Sequence, residues 1–133
     1  MPRIVVVDDY DVICDNLRLM LEEEGFDVET FNDPLKALEY CKCHRCDMII
    51  SDVRMPGMDG LSLLEKIRKY QPGIRTMVIS SRYDEDEDLA RSLMKRHCDA
   101  AFPKPFSLSA LLRTVMGLMA HGQLVSLDAA SPA

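Results

Sequence analysis

Short apolar runs and segments of helical periodicity alternate along most of this chain. The apolar runs are four to six residues long and rich in β-branched residues, as buried strands are; they are IVVV (4–7), FDVETF (26–31), DMIIS (47–51), TMVIS (76–80) and DAAF (99–102). Segments with apolar residues every three or four positions lie near residues 11–24, 34–43, 60–70, 86–97 and 107–120. Five strands and five helices in strict alternation predict an α/β fold, with helices covering both faces of a parallel sheet.

Capping residues support these boundaries. Asp33 followed by Pro34 is typical of a helix start, Gly25 of the end of the first helix, and Ser107 of the start of the last. Apolar stripes on the first and last helices predict core positions, which are Ile13, Leu17, Met20, Leu21, Leu108, Leu111, Leu112, Val115 and Met119.

Size and charge restrict the class of protein. With 133 residues and 47% hydrophobic residues the chain fits one domain, predicted at residues 1–120, with a tail or the start of a linker at 121–133. A net charge of −6 argues against direct nucleic-acid binding. No apolar run is long enough for a membrane span or a signal peptide, so we expect a cytoplasmic protein without membrane contact.

The five cysteines are an odd number and predict reduced thiols, most of them in the core. The segment CKCHRC (41–46) holds Cys41, Cys43, His44 and Cys46 at spacings that metal sites use. It lies at the end of the second helix, where Cys41 can face the core while the others lie in a short loop. Structural zinc sites usually draw ligands from two separated elements, so we favour the core role over metal binding.

Polar and charged residues stand where several of the predicted strands end. Asp8 and Asp9 follow the first strand, Asp52 the third, Ser80 ends the fourth and Lys104 follows the fifth. In a doubly wound parallel sheet the functional crevice lies beyond the carboxyl ends of the strands, so these side chains should converge. Three carboxylates repel one another, and one lysine does not neutralise them. A hard divalent cation suits the remainder, and Mg²⁺ is the one we expect.

In four motifs the chain resembles the receiver domain of two-component response regulators. VVVDDYD matches the acidic-pair strand, MIISDVRMPGMDG the phosphoacceptor strand and loop, VISS the hydroxyl strand, and FPKPF the lysine-proline strand. The resemblance covers residues 3–120 and implies a flavodoxin-like sheet with strand order 2-1-3-4-5.

The resemblance also implies roles at the site. Asp52 would accept a phosphoryl group from a histidine kinase or a phosphotransfer protein. Asp9, Asp52 and the backbone carbonyl of Arg54 would bind Mg²⁺, with Asp8 helping through a bound water. Lys104 would pair with the phosphoryl oxygens across a cis Lys104-Pro105 bond.

The hydroxyl of Ser80 would hydrogen-bond to the phosphoryl group, and the face of the fourth helix, fifth strand and fifth helix would carry the signal. Such a domain signals rather than turning over a substrate. An effector domain or partner on that face and a phosphorylation-dependent dimer are further expectations.

Two features depart from the family pattern or modify it. Ala101 stands three residues before Lys104, where receivers usually carry Tyr or Phe, and Phe102 should point to the opposite face of the strand. We therefore predict little rotamer switching on the fifth strand. Arg54 and Arg82 occupy positions that tune phosphoryl lifetime in relatives; each could pair with the phosphoryl group or obstruct water, or could simply be solvated.

Two other functions compete with this interpretation. The first is an inactive receiver, which would act as an interaction module independent of phosphorylation; Ala101 favours it. The second is a haloacid-dehalogenase-type phosphatase, because Asp9 and Asp11 form the D-x-D pattern of its nucleophile motif. This phosphatase would leave Asp52 without a role.

Overall fold

A computed structural model describes residues 1–80 and 98–121 of the chain. All five predicted strands are present, within one or two residues of their expected bounds: β1 (Arg3–Val7), β2 (Asp27–Phe31), β3 (Met48–Asp52), β4 (Arg75–Ser80) and β5 (Ala100–Pro103). The described helices are α1 (Asp11–Glu23), α2 (Pro34–Cys43), α3 (Gly60–Tyr70) and α4 (Leu108–His121). α4 corresponds to the fifth predicted helix. The fourth predicted helix (86–97) and the predicted tail from residue 122 onward lie outside the described residues.

The strands form one parallel sheet in the order β2-β1-β3-β4-β5, as expected. Because β1 pairs with β2 on one side and β3 on the other, the chain reverses its direction of travel across the sheet between these two neighbours. Val7 of β1 pairs with Ser51 of β3, so both strands end at the same level. This reversal opens a crevice at their carboxyl ends.

Each face of the sheet has its own apolar core. Val5, Ile49 and Val78 point to the face covered by α2 and α3, and Ile4, Ile50 and Ile79 point to the face covered by α1 and α4; all are fully buried. The sheet is therefore doubly wound. No helix within residues 1–80 or 98–121 combines the length and apolar character needed to cross a membrane.

The capping predictions are confirmed. The side chain of Asp33 accepts a hydrogen bond from the Leu35 amide (2.9 Å), and that of Ser107 accepts one from the Ala110 amide (3.2 Å). Gly25 follows α1 with a φ of +92°, a conformation in which glycine is the least strained residue.

The core predictions for α1 and α4 hold with one exception. Leu17 and Leu21 are fully buried, and most of the other predicted positions pack against the same core. Leu108 is wrong: it is the first residue of α4 and is 40% exposed, because the helix has not yet met the sheet there. Leu118, which we did not predict, is fully buried instead.

Ala101 and Phe102 lie on opposite faces of β5. Ala101 packs on the α2 and α3 side, and Phe102 on the α1 and α4 side. The aromatic ring therefore does not substitute for the side chain missing at position 101, as predicted.

Candidate functional site

Two buried aspartates lie in the crevice between β1 and β3. Asp8 follows β1 directly, Asp52 is the last residue of β3, and the two are 0% and 5% exposed. Asp9 is exposed at the rim. One carboxylate oxygen of each of Asp8, Asp9 and Asp52 lies within 4.8 Å of the others. The predicted convergence of these three carboxylates is therefore confirmed.

Lys104 binds both buried carboxylates. Its Nζ donates to Oδ2 of Asp8 at 3.0 Å and to Oδ2 of Asp52 at 3.2 Å. The backbone amide of Lys104 donates to the carbonyl of Ser80 (2.8 Å), which fixes the point where the chain leaves β5. The Lys104-Pro105 peptide bond that follows is cis. One ammonium group is thus shared by two carboxylates.

The electrostatics of the crevice disfavour carboxylate ions. Burial raises the pKa of Asp52, the charge of Asp8 raises it further, and Lys104 offsets only part of this. Burial likewise raises the pKa of Asp8, against the hydrogen bond from Tyr10 and the pairing with Lys104. For Lys104 itself burial lowers the pKa, but Asp8 and Asp52 together raise it more.

Three carboxylates against one ammonium leave the crevice short of positive charge. A cation that binds there would meet only oxygen donors from these aspartates, which is the donor set that Mg²⁺ prefers. The residues present therefore fit a Mg²⁺ ion. Within the described part of the chain, no other group of three or more candidate ligands comes together in this way.

Ser80 and Arg54 flank Asp52 on different elements. Ser80 is the last residue of β4 and is 2% exposed; its neighbour Ile79 pairs with Asp52 in the sheet. Arg54 is exposed, two residues beyond Asp52 in the loop that leads to α3. Arg82 lies outside the described residues.

Three positioning residues escaped the sequence analysis. The Tyr10 amide donates to Oδ1 of Asp8 (2.9 Å), and its exposed ring lies 5.4 Å from Nζ of Lys104. Ser51 Oγ donates to the carbonyl of Asp52 (2.8 Å). Gly60 packs so closely on that carbonyl that an added Cβ would collide with it. The Asp59-Gly60 pair at the start of α3 is the sequence signal of this close approach.

Comparison with known proteins identifies the family. The model of the response regulator receiver domain matches residues 4–116. The chain belongs to the response regulator receiver domain family.

Similar proteins agree with this assignment. Response regulator MprA of Mycobacterium ulcerans is 33% identical over 128 residues, covering 96% of this chain and 54% of MprA. A CheY-like receiver domain protein from Methanospirillum hungatei superposes with a TM-score of 0.85 at 25% identity, covering 92% of this chain and 96% of that one. The response regulator TrrA of Thermotoga maritima, in complex with Mg²⁺-BeF, superposes with a TM-score of 0.76 at 30% identity, covering 89% and 99%.

The receiver spans about half the length of the curated relatives it matches. The predicted domain end at residue 120 stays a prediction.

The cysteine segment of the receiver does not form the cluster that its spacing allows. Cys41 faces the core, as expected, but Cys46 is also buried, at 4% exposure, because it leads directly into β3. Cys46 lies in the short loop between α2 and β3, as expected, but it is buried there. Cys43 is exposed, and the ring of His44 stacks on Tyr40 with centroids 4.0 Å apart.

Proposed function

We propose that this receiver accepts a phosphoryl group on Asp52 from a histidine kinase or a phosphotransfer protein. The pairing of Lys104 with both Asp8 and Asp52 in an acidic crevice is the observation that carries the proposal. It puts the carboxylate of Asp52, the proposed nucleophile, beside the ammonium group of Lys104. This ammonium group can pair with the phosphoryl oxygens once the phosphoryl group is on Asp52. A charged lysine held this way has no comparable use in a site built only for packing.

In the proposed transfer, a carboxylate oxygen of Asp52 attacks phosphorus and the bond from phosphorus to the donor's histidine nitrogen breaks. The electron pair of that bond stays on the imidazole, and an acyl phosphate forms on Asp52. Lys104 then shifts from Asp52 to the phosphoryl oxygens and keeps its contact with Asp8. In-line phosphoryl transfer depends mainly on positioning and charge neutralisation, which these residues supply.

Asp8, Asp9, Asp52 and the backbone carbonyl of Arg54 are the groups that would hold Mg²⁺, which when bound would neutralise charge on the phosphoryl oxygens. The TrrA complex with Mg²⁺-BeF supports Mg²⁺ as the cation by analogy. The receiver promotes only its own phosphorylation and dephosphorylation, so we class it as a signalling domain and not as an enzyme.

The signal leaves through groups that meet the new phosphoryl charge. Ser80, buried at the end of β4, would donate its hydroxyl to a phosphoryl oxygen. β5 and α4 then form part of the output surface that an effector domain, a partner or a second receiver contacts. The remaining part, residues 86–97, lies outside the described residues.

An apolar cavity beside the site suits the phosphodonor protein. Ile13, Pro105, Phe106 and Leu108 line it together with Lys104, so a partner bound there would reach the crevice directly. We expect Leu108→Glu to leave phosphorylation by a small donor unchanged and to slow transfer from a histidine-phosphorylated protein. The exposed position of Leu108 at a helix N-terminus should tolerate the added charge.

Intact-mass spectrometry after incubation with acetyl phosphate tests the proposal. A single phosphoryl adduct that requires Mg²⁺ and is absent from Asp52→Asn is expected. Asp33→Asn is the matched control, since Asn also caps a helix and Asp33 lies outside the crevice. Adduct formation that survives in Asp52→Asn would refute Asp52 as the acceptor.

Ala101 favours one second candidate, a receiver that acts without phosphorylation. β5 carries no aromatic side chain on the face of Ala101, so phosphorylation of Asp52 could not reorient a ring there. No adduct under conditions that modify an ordinary receiver would support this interaction module.

A further inference from the structure

Two buried thiols lie side by side at the opposite end of the sheet from Asp52. The Sγ atoms of Cys41, in the last turn of α2, and Cys46, just before β3, are 3.9 Å apart. Their side chains belong to residues that are 1% and 4% exposed. The proposed phosphoryl transfer uses neither thiol.

The side chain of Gln71 holds the loop between the two thiols. Its Nε2 donates to the carbonyls of Cys41 (2.6 Å) and His44 (2.8 Å), and its Oε1 accepts from the amide of Cys46 (2.7 Å). These three hydrogen bonds fix both ends of the loop. The short distance between the sulfur atoms is therefore a built-in feature of the fold.

The two thiols differ in acidity. The hydrogen bond from Cys41 lowers the pKa of Cys46, against the effect of burial, and the same bond with burial raises the pKa of Cys41. Since the thiolate is the reactive form of cysteine, this direction favours Cys46 as the thiol that reacts first.

A small oxidant can reach both thiols. Cys46 lines a surface cavity of about 380 Å³ together with Asp47, Gln71, Gly73 and neighbouring residues, and Cys41 lines another of about 290 Å³. Hydrogen peroxide is little larger than the water molecules that such a cavity admits. Cys14 and Cys98 are buried, and burial raises the pKa of each to about 11.

We propose that Cys41 and Cys46 form a disulfide when the receiver meets a hydroperoxide, which makes this pair a redox modification site separate from Asp52. The Cys46 thiolate attacks one peroxide oxygen, the O–O bond breaks, and hydroxide leaves; Cys46 becomes a sulfenic acid. The sulfur of Cys41 then attacks the sulfur of Cys46, the S–O bond breaks, and the proton of Cys41 leaves with the hydroxide as water. Two electrons pass from the two sulfurs to the peroxide.

The required movement is small. The sulfur atoms must approach by roughly 2 Å to reach the disulfide bond length of ~2.05 Å. The residues between them, 42–45, are exposed and can follow.

Peptide mapping of the peroxide-treated receiver tests the proposal. Trypsin cleaves after Lys42 and Arg45, so it separates Cys41 from Cys46, and a disulfide appears as one linked peptide pair that dithiothreitol splits. Under denaturing conditions two of the five thiols should be lost to labelling and three should stay. A disulfide that instead includes Cys43, or oxidation that leaves Cys41 and Cys46 unlinked, would overturn the proposal.

Three variants test separate parts of the proposal. Cys43→Ser should form the same disulfide at an unchanged rate, because Cys43 is exposed and takes no part in it. Cys41→Ser should leave the sulfenic acid on Cys46, where dimedone traps it. If Cys41→Ser does not fold, the linked peptide in the unmodified sequence still decides. Asp52→Asn should form the disulfide normally, so failure of the proposed phosphorylation and failure of this proposal are distinguishable.

Discussion

Replacement of Gly60 by alanine should disturb both the stability of the receiver and the position of Asp52. A Cβ on Gly60 would collide with the backbone carbonyl of Asp52, and the Gly60 amide donates to the carbonyl of Val53 at 2.7 Å. The colliding atom belongs to the backbone and cannot rotate away, so α3 and the end of β3 must move apart.

Overpacking of this kind costs about 3 kcal/mol, at the upper end of the usual range, because only backbone movement relieves it. Alanine in place of glycine returns at most about 1 kcal/mol, the value for a helix interior, because Gly60 is the first residue of α3. The free energy of unfolding of Gly60→Ala should therefore fall by at least about 2 kcal/mol. For a domain of this size that lowers Tm by roughly 6–10 °C.

Urea denaturation measures the difference, and Gly73→Ala is the matched control. Gly73 has open space around its Cβ position and no left-handed backbone, so its replacement should change stability by less than about 0.5 kcal/mol. Gly60→Ala should also react more slowly with acetyl phosphate, since the Asp52 carboxylate moves with its backbone. Equal stability of the two variants, with unchanged phosphorylation of Gly60→Ala, would refute the close approach.

The remaining predictions concern the charges of the crevice. Burial and the charge of Asp8 raise the pKa of Asp52 in the folded state, so the ionised carboxylate lowers the free energy of unfolding at pH values above that raised pKa. Asp52→Asn should therefore have the higher free energy of unfolding at neutral pH. As the pH falls towards ~4, denaturation curves should show the values of the variant and the parent converging. Lys104→Met should lower the free energy of unfolding by about 3–5 kcal/mol without Mg²⁺, while Lys42→Met, which breaks an exposed pair, should change it little. Mg²⁺ should raise the Tm of the parent, as calorimetry can measure, and raise it less in Asp9→Asn.

Each of these has a contradicting result. An advantage of Asp52→Asn that grows as the solution is acidified would reverse the sign of the linkage. Equal losses of unfolding free energy in Lys104→Met and Lys42→Met would mean that the pairing of Lys104 with two buried carboxylates stabilises the fold no more than an exposed ion pair does. If Mg²⁺ raised the Tm of Asp9→Asn as much as that of the parent, the cation would bind away from Asp9.

The crevice at the carboxyl ends of the strands, and the carboxylates in it, could be predicted because they depend on regular sequence patterns. Alternating periodicity fixes a parallel sheet, and a parallel sheet brings the ends of its strands to one edge. Asp8 and Asp52 are 44 residues apart in sequence, yet both follow apolar runs, which is enough to put them together. Lys104 lies at the same edge for the same reason.

The finer arrangement could not be predicted, because it depends on packing between distant segments. No local sequence feature shows that Lys104 pairs with both Asp52 and Asp8, which lies 96 positions away in the chain. Likewise the burial of Cys46 depends on where the loop after α2 crosses the core, and the exposure of Leu108 on where α4 first meets the sheet. Periodicity marks which side of an element is apolar but not where along it burial begins.

Locating the phosphoryl group on the chain tests the central claim most directly. After reaction with acetyl phosphate and Mg²⁺, the acyl phosphate can be reduced with borohydride and the modified residue identified by peptide sequencing in a mass spectrometer. We predict modification at Asp52 alone. Modification at Asp9 would contradict it and would favour the phosphatase chemistry that the D-x-D pattern suggested.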